Sequence, residues 1–161
     1  MTSLRTAAVV IASTRAAAGT YEDECGPAIA DWLYQHGFGV ADAVVVPDGD
    51  AVGSAIGIAL EARPAVLITS GGTGLSPDDA TPEQTAPYLT RSLPGVMEAI
   101  RRAGSSTVPT AALSRGLAGT AGSTFVINLP GSPGGVRDGL AVLSPLIDHI
   151  CSQLEGRNDH R

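Results

Sequence analysis

Three glycines in Ser70-Gly71-Gly72-Thr73-Gly74 give the chain one segment whose backbone amides can converge on an anion. The spacing is neither G-x-G-x-x-G nor G-x-x-x-x-G-K-[ST], which excludes the usual dinucleotide and P-loop arrangements. Asp78 and Asp79 follow, just before Thr81-Pro82-Glu83-Gln84. One such carboxylate can serve a helix N-terminus. Two beside a glycine nest point to a metal–phosphate site, because Mg²⁺ is held by one or two carboxylates together with substrate phosphates. A second glycine loop, Pro130-Gly131-Ser132-Pro133-Gly134-Gly135, leads into a helix whose N-terminus favours an anion. Arg137 in that first turn opposes the helix dipole, so it either faces solvent or reaches for phosphate. In Pro47-Asp48-Gly49-Asp50 the second aspartate suits an N-cap, whereas Asp48 has no capping role. Ala12-Ser13-Thr14-Arg15 and Ser114-Arg115-Gly116 are the remaining loops of interest, Arg115 alone reading as a surface arginine.

Ser132 sits at a strand-to-helix turn that resembles a nucleophile elbow, but the first glycine of G-x-S-x-G is missing. His149 lies on the helical stretch that Ser132 begins, about 25 Å away at 1.5 Å per residue. An intramolecular triad is excluded.

Composition narrows the chemistry further. All ten basic residues among the 161 are arginine, so Schiff-base, pyridoxal and Walker-lysine chemistry have no amine to use. Sixteen acidic residues leave a net charge of −6 with no basic cluster, which argues against nucleic acid or an anionic membrane as partner. A 43% hydrophobic, 16% charged chain of this length fits one packed domain and not disorder. Cys25 and Cys151 are isolated thiols, and His36, His149 and His160 never fall three or four apart, so no helix offers a transition metal a His pair. The apolar run Ala7–Ala12 is too short for a secretory core, and no window approaches the ~18 residues of a membrane span. The expectation is a cytoplasmic protein without structural metal.

Short Val/Ile runs alternate with helical patterns. Strands are expected at Thr6–Ala12, Val40–Val46, Ala65–Thr69 and Thr124–Leu129, the last as one arm of a hairpin turning near Gly122-Ser123. After the first strand a loop should run to Gly19. Helices are expected over about Asp23–Gln35, from Asp50 to before Pro64, and over Val96–Ala103 with Arg101 and Arg102 facing solvent. Thr81 reads as the N-cap of a further helix, with Gln84 its capping-box partner. From Ser132 the apolar stripe Val136, Leu140, Leu143, Ile147, Ile150, Leu154 is helical, with Pro145 starting a second helix capped by Ser144. Such alternation predicts an α/β sheet covered on both faces, with ligands at the carboxyl ends of its strands. Residues 1–156 form one expected domain and 157–161 a flexible tail.

Thr69–Gly74, Asp79-Ala80-Thr81-Pro82-Glu83, Pro109–Arg115 and Asn128–Pro133 together resemble the Mog/MoaB family of molybdenum-cofactor biosynthesis, over Ala8 to Gly156. The resemblance implies a three-layer α/β/α sandwich with a mostly parallel sheet, a homotrimer, and molybdopterin bound at the strand ends. It implies adenylyl transfer from Mg-ATP to the molybdopterin phosphate, with a non-catalytic MoaB-like carrier as the alternative and a molybdenum insertase as a further partner. It marks Asp48 and Asp79 as catalytic and Mg²⁺-holding. Gly71, Gly72, Thr73 and Gly74 would cradle phosphate, and Ser13, Ser70, Ser114, Arg115, Pro130, Gly131 and Ser132 would line the pterin and nucleotide pocket. The family often has Ser-Asp at Ser13-Thr14, arginine at Asp78 and lysine at Gly134; the last two departures remove positive charge.

Overall fold

The structure, a computed structural model, describes residues 3–157. The expected tail therefore lies outside the described residues except for Arg157, whose Nε stands 3.3 Å from Glu155 Oε2.

One seven-stranded sheet organises the chain: β1 (Thr6–Ala12), β2 (Gly39–Val40), β3 (Val44–Val46), β4 (Val66–Ser70), β5 (Arg91–Ser92), β6 (Ala118–Ala121) and β7 (Thr124–Leu129). The order is β2-β1-β4-β7-β6-β5, with β3 also beside β1. β1 runs parallel to β2, β3 and β4, and β4 to β7. The β6–β7 hairpin and its neighbour β5 are antiparallel.

Side chains alternate along the central strands, as a strand buried on both faces requires. Val9 and Ile11, Val66 and Ile68, and Phe125, Ile127 and Leu129 enter the larger core. There they meet α2 (Cys25–Gln35), α5 (Pro94–Ser105), α6 (Pro133–Leu143) and α7 (Ile147–Leu154) through Ile29, Leu33, Met97, Ile100, Val136, Leu140, Leu143 and Ile147. Val10, Leu67 and Val126 point the other way, onto Val52 and Ile56 of α3 (Asp50–Glu61). The result is the three-layer α/β/α arrangement with a mostly parallel sheet. The α3 side is the thinner one, and an apolar groove of about 860 Å³ remains beside the sheet edge, with Val44 and Ile58 exposed on it.

Several local expectations change. The second strand is two short pieces, because Ala41–Ala43 leaves the ladder. The loop after β1 contains a short helix, α1 (Thr14–Ala17), capped by Ser13, whose Oγ accepts from Ala16 N at 3.2 Å. Gly49 rather than Asp50 caps α3, and Asp50 accepts instead from Gln84 Nε2 at 3.3 Å. Thr81 is the first residue of α4 (Thr81–Thr85), not its N-cap; Gln84 is thus not a capping-box partner. Ser144 closes α6 instead of opening α7: its hydroxyl bonds the Leu140 carbonyl and accepts from Trp32 Nε1. Arg101 turns from solvent to the loop beside it, donating to the carbonyls of Ser114 and Gly116 at 2.7 and 3.0 Å.

Candidate functional site

Parallel pairing brings the loops after β1, β3, β4 and β7 to one end of the sheet. The glycine loop after β4 bridges its neighbours: Gly71 N donates to Leu129 O and Thr81 N to Gly72 O, at 3.1 and 3.0 Å. The Ser70 hydroxyl donates to Pro130 O at 2.8 Å, tying the two glycine loops together. Gly71 has φ +94°, and any Cβ there would run into the Ala12 carbonyl, so close approach to β1 demands glycine.

Beneath the loop lies a buried polar network. Asn128 Nδ2 donates to the hydroxyls of Thr69 and Thr85 at 2.9 and 3.0 Å, and Thr85 donates to the Thr81 carbonyl at 2.7 Å. All four side chains are fully buried. Satisfied networks of this kind rigidify what they join, here β4, β7 and α4. The Thr81 hydroxyl alone has no partner among the described residues. Leaving a buried hydroxyl unbonded costs about 1–3 kcal/mol.

Asp48 and Asp79 each commit one carboxylate oxygen to the scaffold. Asp48 Oδ2 accepts from Thr14 Oγ1 and Thr14 N at 3.0 and 3.3 Å; Asp79 Oδ2 accepts from Ser76 N at 3.1 Å. No protein donor meets either Oδ1 among the described residues. Both residues line a cleft of about 470 Å³ together with Ser13, Ser70, Gly71, Gly72 and Gly131. Among the described residues, five carboxylates, Asp23, Glu24, Asp48, Asp78 and Asp79, face this cleft against one guanidinium, Arg15, whose Cζ lies 5.0 Å from the Tyr21 ring centroid. Asp23 is spent on the start of α2, accepting from Cys25 N and Gly26 N at 3.0 Å each. Cys25 also lines the cleft; burial pushes its thiol up from the ordinary value, so it stays protonated.

A second cavity, of about 680 Å³, lies beyond Gly72, Asp79 and Gly131, which it shares with the first. Thr73, Gly74, Ser114, Pro130 and Ser132 line it, opposite an apolar wall of Ile100, Val108, Ala111 and Leu113. Arg137 reaches it with no ion pair among the described residues. Ser132 caps α6, its Oγ accepting from Gly135 N at 3.1 Å. Ser114 Oγ accepts from Gly116 N at 3.3 Å.

Arg115 lines neither cavity. Its Nε donates to Gly74 O and Nη2 to Asp79 O, at 2.8 and 2.9 Å, its Nη1 pairs with Glu83, and its N–H holds Thr73 O at 2.8 Å. It braces the loop that carries Asp79. The hydrogen bond from Arg115 holds the Glu83 carboxyl below its ordinary value. Sequence reasoning missed Thr14 and Thr81. The loop Ala12–Arg15 and its departure from Ser-Asp were signals for the first, and Thr81 reads in the sequence only as a helix cap within Asp79–Glu83.

The donor set suits a hard cation. Two free carboxylate oxygens match the one or two that Mg²⁺ takes from protein, and the acidic surplus of the cleft would repel a polyphosphate arriving without one. No cluster of three His, Cys, Asp or Glu side chains able to hold a metal forms among the described residues, so such a cation would depend on substrate oxygens to complete its shell.

An open, mostly parallel sheet with glycine loops at its carboxyl ends puts the chain among α/β proteins whose ligand sites lie at strand ends. More narrowly, residues 8–149 match the family described as a probable molybdopterin binding domain, and the chain belongs to that family, with the Mog and MoaB proteins. The molybdenum cofactor biosynthesis bifunctional protein of Synechococcus elongatus is 41% identical over 155 residues, 96% of this chain and 48% of that protein. The chain thus spans about half the length of the first curated relatives it matches. The molybdopterin adenylyltransferase of Helicobacter pylori J99 is 35% identical over 92% of this chain and 86% of that protein. Among solved structures, the molybdopterin biosynthesis Mog protein of Mycobacterium ulcerans is 54% identical with a TM-score of 0.91, covering 96% of this chain and 99% of that one. No helix among the described residues is long and apolar enough to cross a membrane.

Proposed function

We propose that the chain is a molybdopterin adenylyltransferase, moving AMP from ATP to the molybdopterin phosphate and releasing pyrophosphate. The observation that carries this reading is the wall of Gly72, Asp79 and Gly131 shared by two cavities, one rich in carboxylates and one apolar with Arg137. Two substrates seated one on each side would meet over a glycine loop whose backbone can approach phosphate closely. An oxygen of the molybdopterin phosphate bonds the α-phosphorus as the bond to pyrophosphate breaks. That oxygen is already anionic, so no general base is required, and no histidine among the described residues lines either cavity.

Asp48 and Asp79 would hold Mg²⁺ through their carboxylates. The cation's contribution is to neutralise charge on the departing pyrophosphate. Arg137 offers a guanidinium to a phosphate in place of the positive charge missing at Asp78 and Gly134. Arg115 keeps Asp79 in place, and Ser13, Ser70 and Ser132 hold the loops through which both substrates would be gripped. The same reading takes the active protein as a cytoplasmic homotrimer that passes its product to a molybdenum insertase.

Pyrophosphate release from Mg-ATP, with and without molybdopterin, tests the proposal. Release that requires molybdopterin and vanishes in Asp79→Asn, with molybdopterin binding retained, is the expected result. Tight molybdopterin binding without release would make the chain a carrier.

A further inference from the structure

Thr81 stands in the first turn of α4, fully buried, with a hydroxyl that finds no partner among the described residues. Thr85, one turn on, shows how a buried helical threonine is ordinarily satisfied: it bonds the carbonyl four residues back. In the first turn Thr81 has no helical carbonyl behind it to bond. A valine would fill the same volume without an orphan atom, so packing gives no reason for the hydroxyl.

What lies beside it does. A Cβ added to Gly72 would overlap Thr81 Oγ1 and stand 3.0 Å from Asp48 Oδ1. The missing side chain of Gly72, at φ +67°, therefore leaves open the space between a hydroxyl without an acceptor and a carboxylate oxygen without a donor. Asp48 Oδ2 is meanwhile held from the opposite loop by Thr14.

We propose that Thr81 is a positioning residue for Asp48: in the ligand-loaded site its hydroxyl donates to Asp48 Oδ1 across Gly72 and fixes the carboxylate that holds the nucleotide's divalent cation. This inference rests on the adenylyl-transfer reading of the same cleft. It also gives Gly72 a task separate from cradling phosphate, because any side chain there would part the pair.

The test uses the full chain and its Thr81→Val and Thr81→Ser variants. Mn²⁺ serves as the probe, its binding in the presence of ATP followed by electron paramagnetic resonance, and thermal melting is read in parallel. Thr81→Val removes only an unbonded atom, so its melting temperature should equal or exceed that of the wild type. Its Mn²⁺–ATP affinity should fall about tenfold, the scale of one lost hydrogen bond to a charged group, and Thr81→Ser should restore most of it. Unchanged Mn²⁺ binding in Thr81→Val overturns the proposal, as does a Thr81→Ser variant no better than Thr81→Val. A drop in melting temperature with normal Mn²⁺ binding assigns the hydroxyl to structure and also overturns it. If the wild type itself retains no Mn²⁺ with ATP, the adenylyl-transfer reading falls, and this role with it.

Discussion

Asp48 and Thr14 hold each other reciprocally: the Thr14 hydroxyl lies 3.0 Å from Asp48 Oδ2 and 3.2 Å from Asp48 N, which donates back to it. Strand register is the cause. Ala12 pairs with Val46 across β1 and β3, and Ser13 N donates to Val46 O at 2.9 Å, so residues two beyond each strand arrive together. A carboxylate on one loop is thus oriented by a hydroxyl on another.

Thr14→Val should cost transfer and spare the fold. The hydroxyl is part of the only protein contact to the Asp48 carboxylate among the described residues, and a hydrogen bond to a charged group scales to roughly tenfold or more in rate. Thr14 is exposed, so stability should change by less than about 0.5 kcal/mol. Thr14→Ser should behave as wild type. Pyrophosphate release alongside urea unfolding separates the two effects, and a fully active Thr14→Val would remove Thr14 from the site.

Arg115 makes loop order sensitive to acid. Glu83 ionises below its ordinary value of 4.5 in the folded chain because Arg115 bonds it. A depressed carboxylate contributes stability that is present above the unfolded value and is lost as pH falls through the folded one. Glu83→Gln should therefore flatten the acid limb of a melting-temperature profile between neutral pH and below 4.5 while changing little at neutrality, where the exposed pair is weak. Arg115→Ala should cost about 2 kcal/mol at neutral pH, since the carbonyls of Gly74 and Asp79 both lose their donor. An unchanged acid limb in Glu83→Gln would show that the pair is not linked to folding.

How far the sequence speaks for itself differs by level. Short, near-continuous Val/Ile runs located β1, β4 and β7 to within a residue, because burial on both faces leaves few alternatives for Val and Ile. Helix ends were less legible. Thr81-Pro82-Glu83-Gln84 has every local mark of a capping box, yet Thr81 N is taken by Gly72 O, a partner from another loop. Arg101 lies where helical periodicity expects solvent, and the loop at Ser114–Gly116 folds over it. Asp48 stands out because it has no capping role, whereas Asp79 is separated from Asp78 only by the resemblance to the Mog/MoaB family. That Arg115 braces the loop carrying Asp79 depends on contacts 32 to 41 residues away in the chain.

Both thiols should be silent in the native protein. Cys25 and Cys151 are 6% and 1% exposed, and burial raises both, the second to about 11. At neutral pH neither is a thiolate, the form that reacts. Ellman's reagent should label neither before unfolding and both in urea. Fast labelling of Cys25 in the native state would mean that the cleft opens around the start of α2.

The thin face of the sandwich offers a place for subunit contact. Among the described residues, α3 together with Tyr88 and Leu89 covers the side of the sheet that carries Val10, Leu67 and Val126, and the groove beside α3 is lined largely by Ala and Val. Ile58 is 68% exposed on that helix, an unfavourable position in a monomer and a favourable one against a second copy. If the homotrimer uses this face, Ile58→Glu places an unpaired charge in an apolar contact and should shift the protein to monomers, with far-ultraviolet circular dichroism unchanged. Sedimentation equilibrium of both proteins decides it. A wild type that is trimeric and an Ile58→Glu variant equally so would put the interface elsewhere, and a monomeric wild type would remove the trimer from the functional reading.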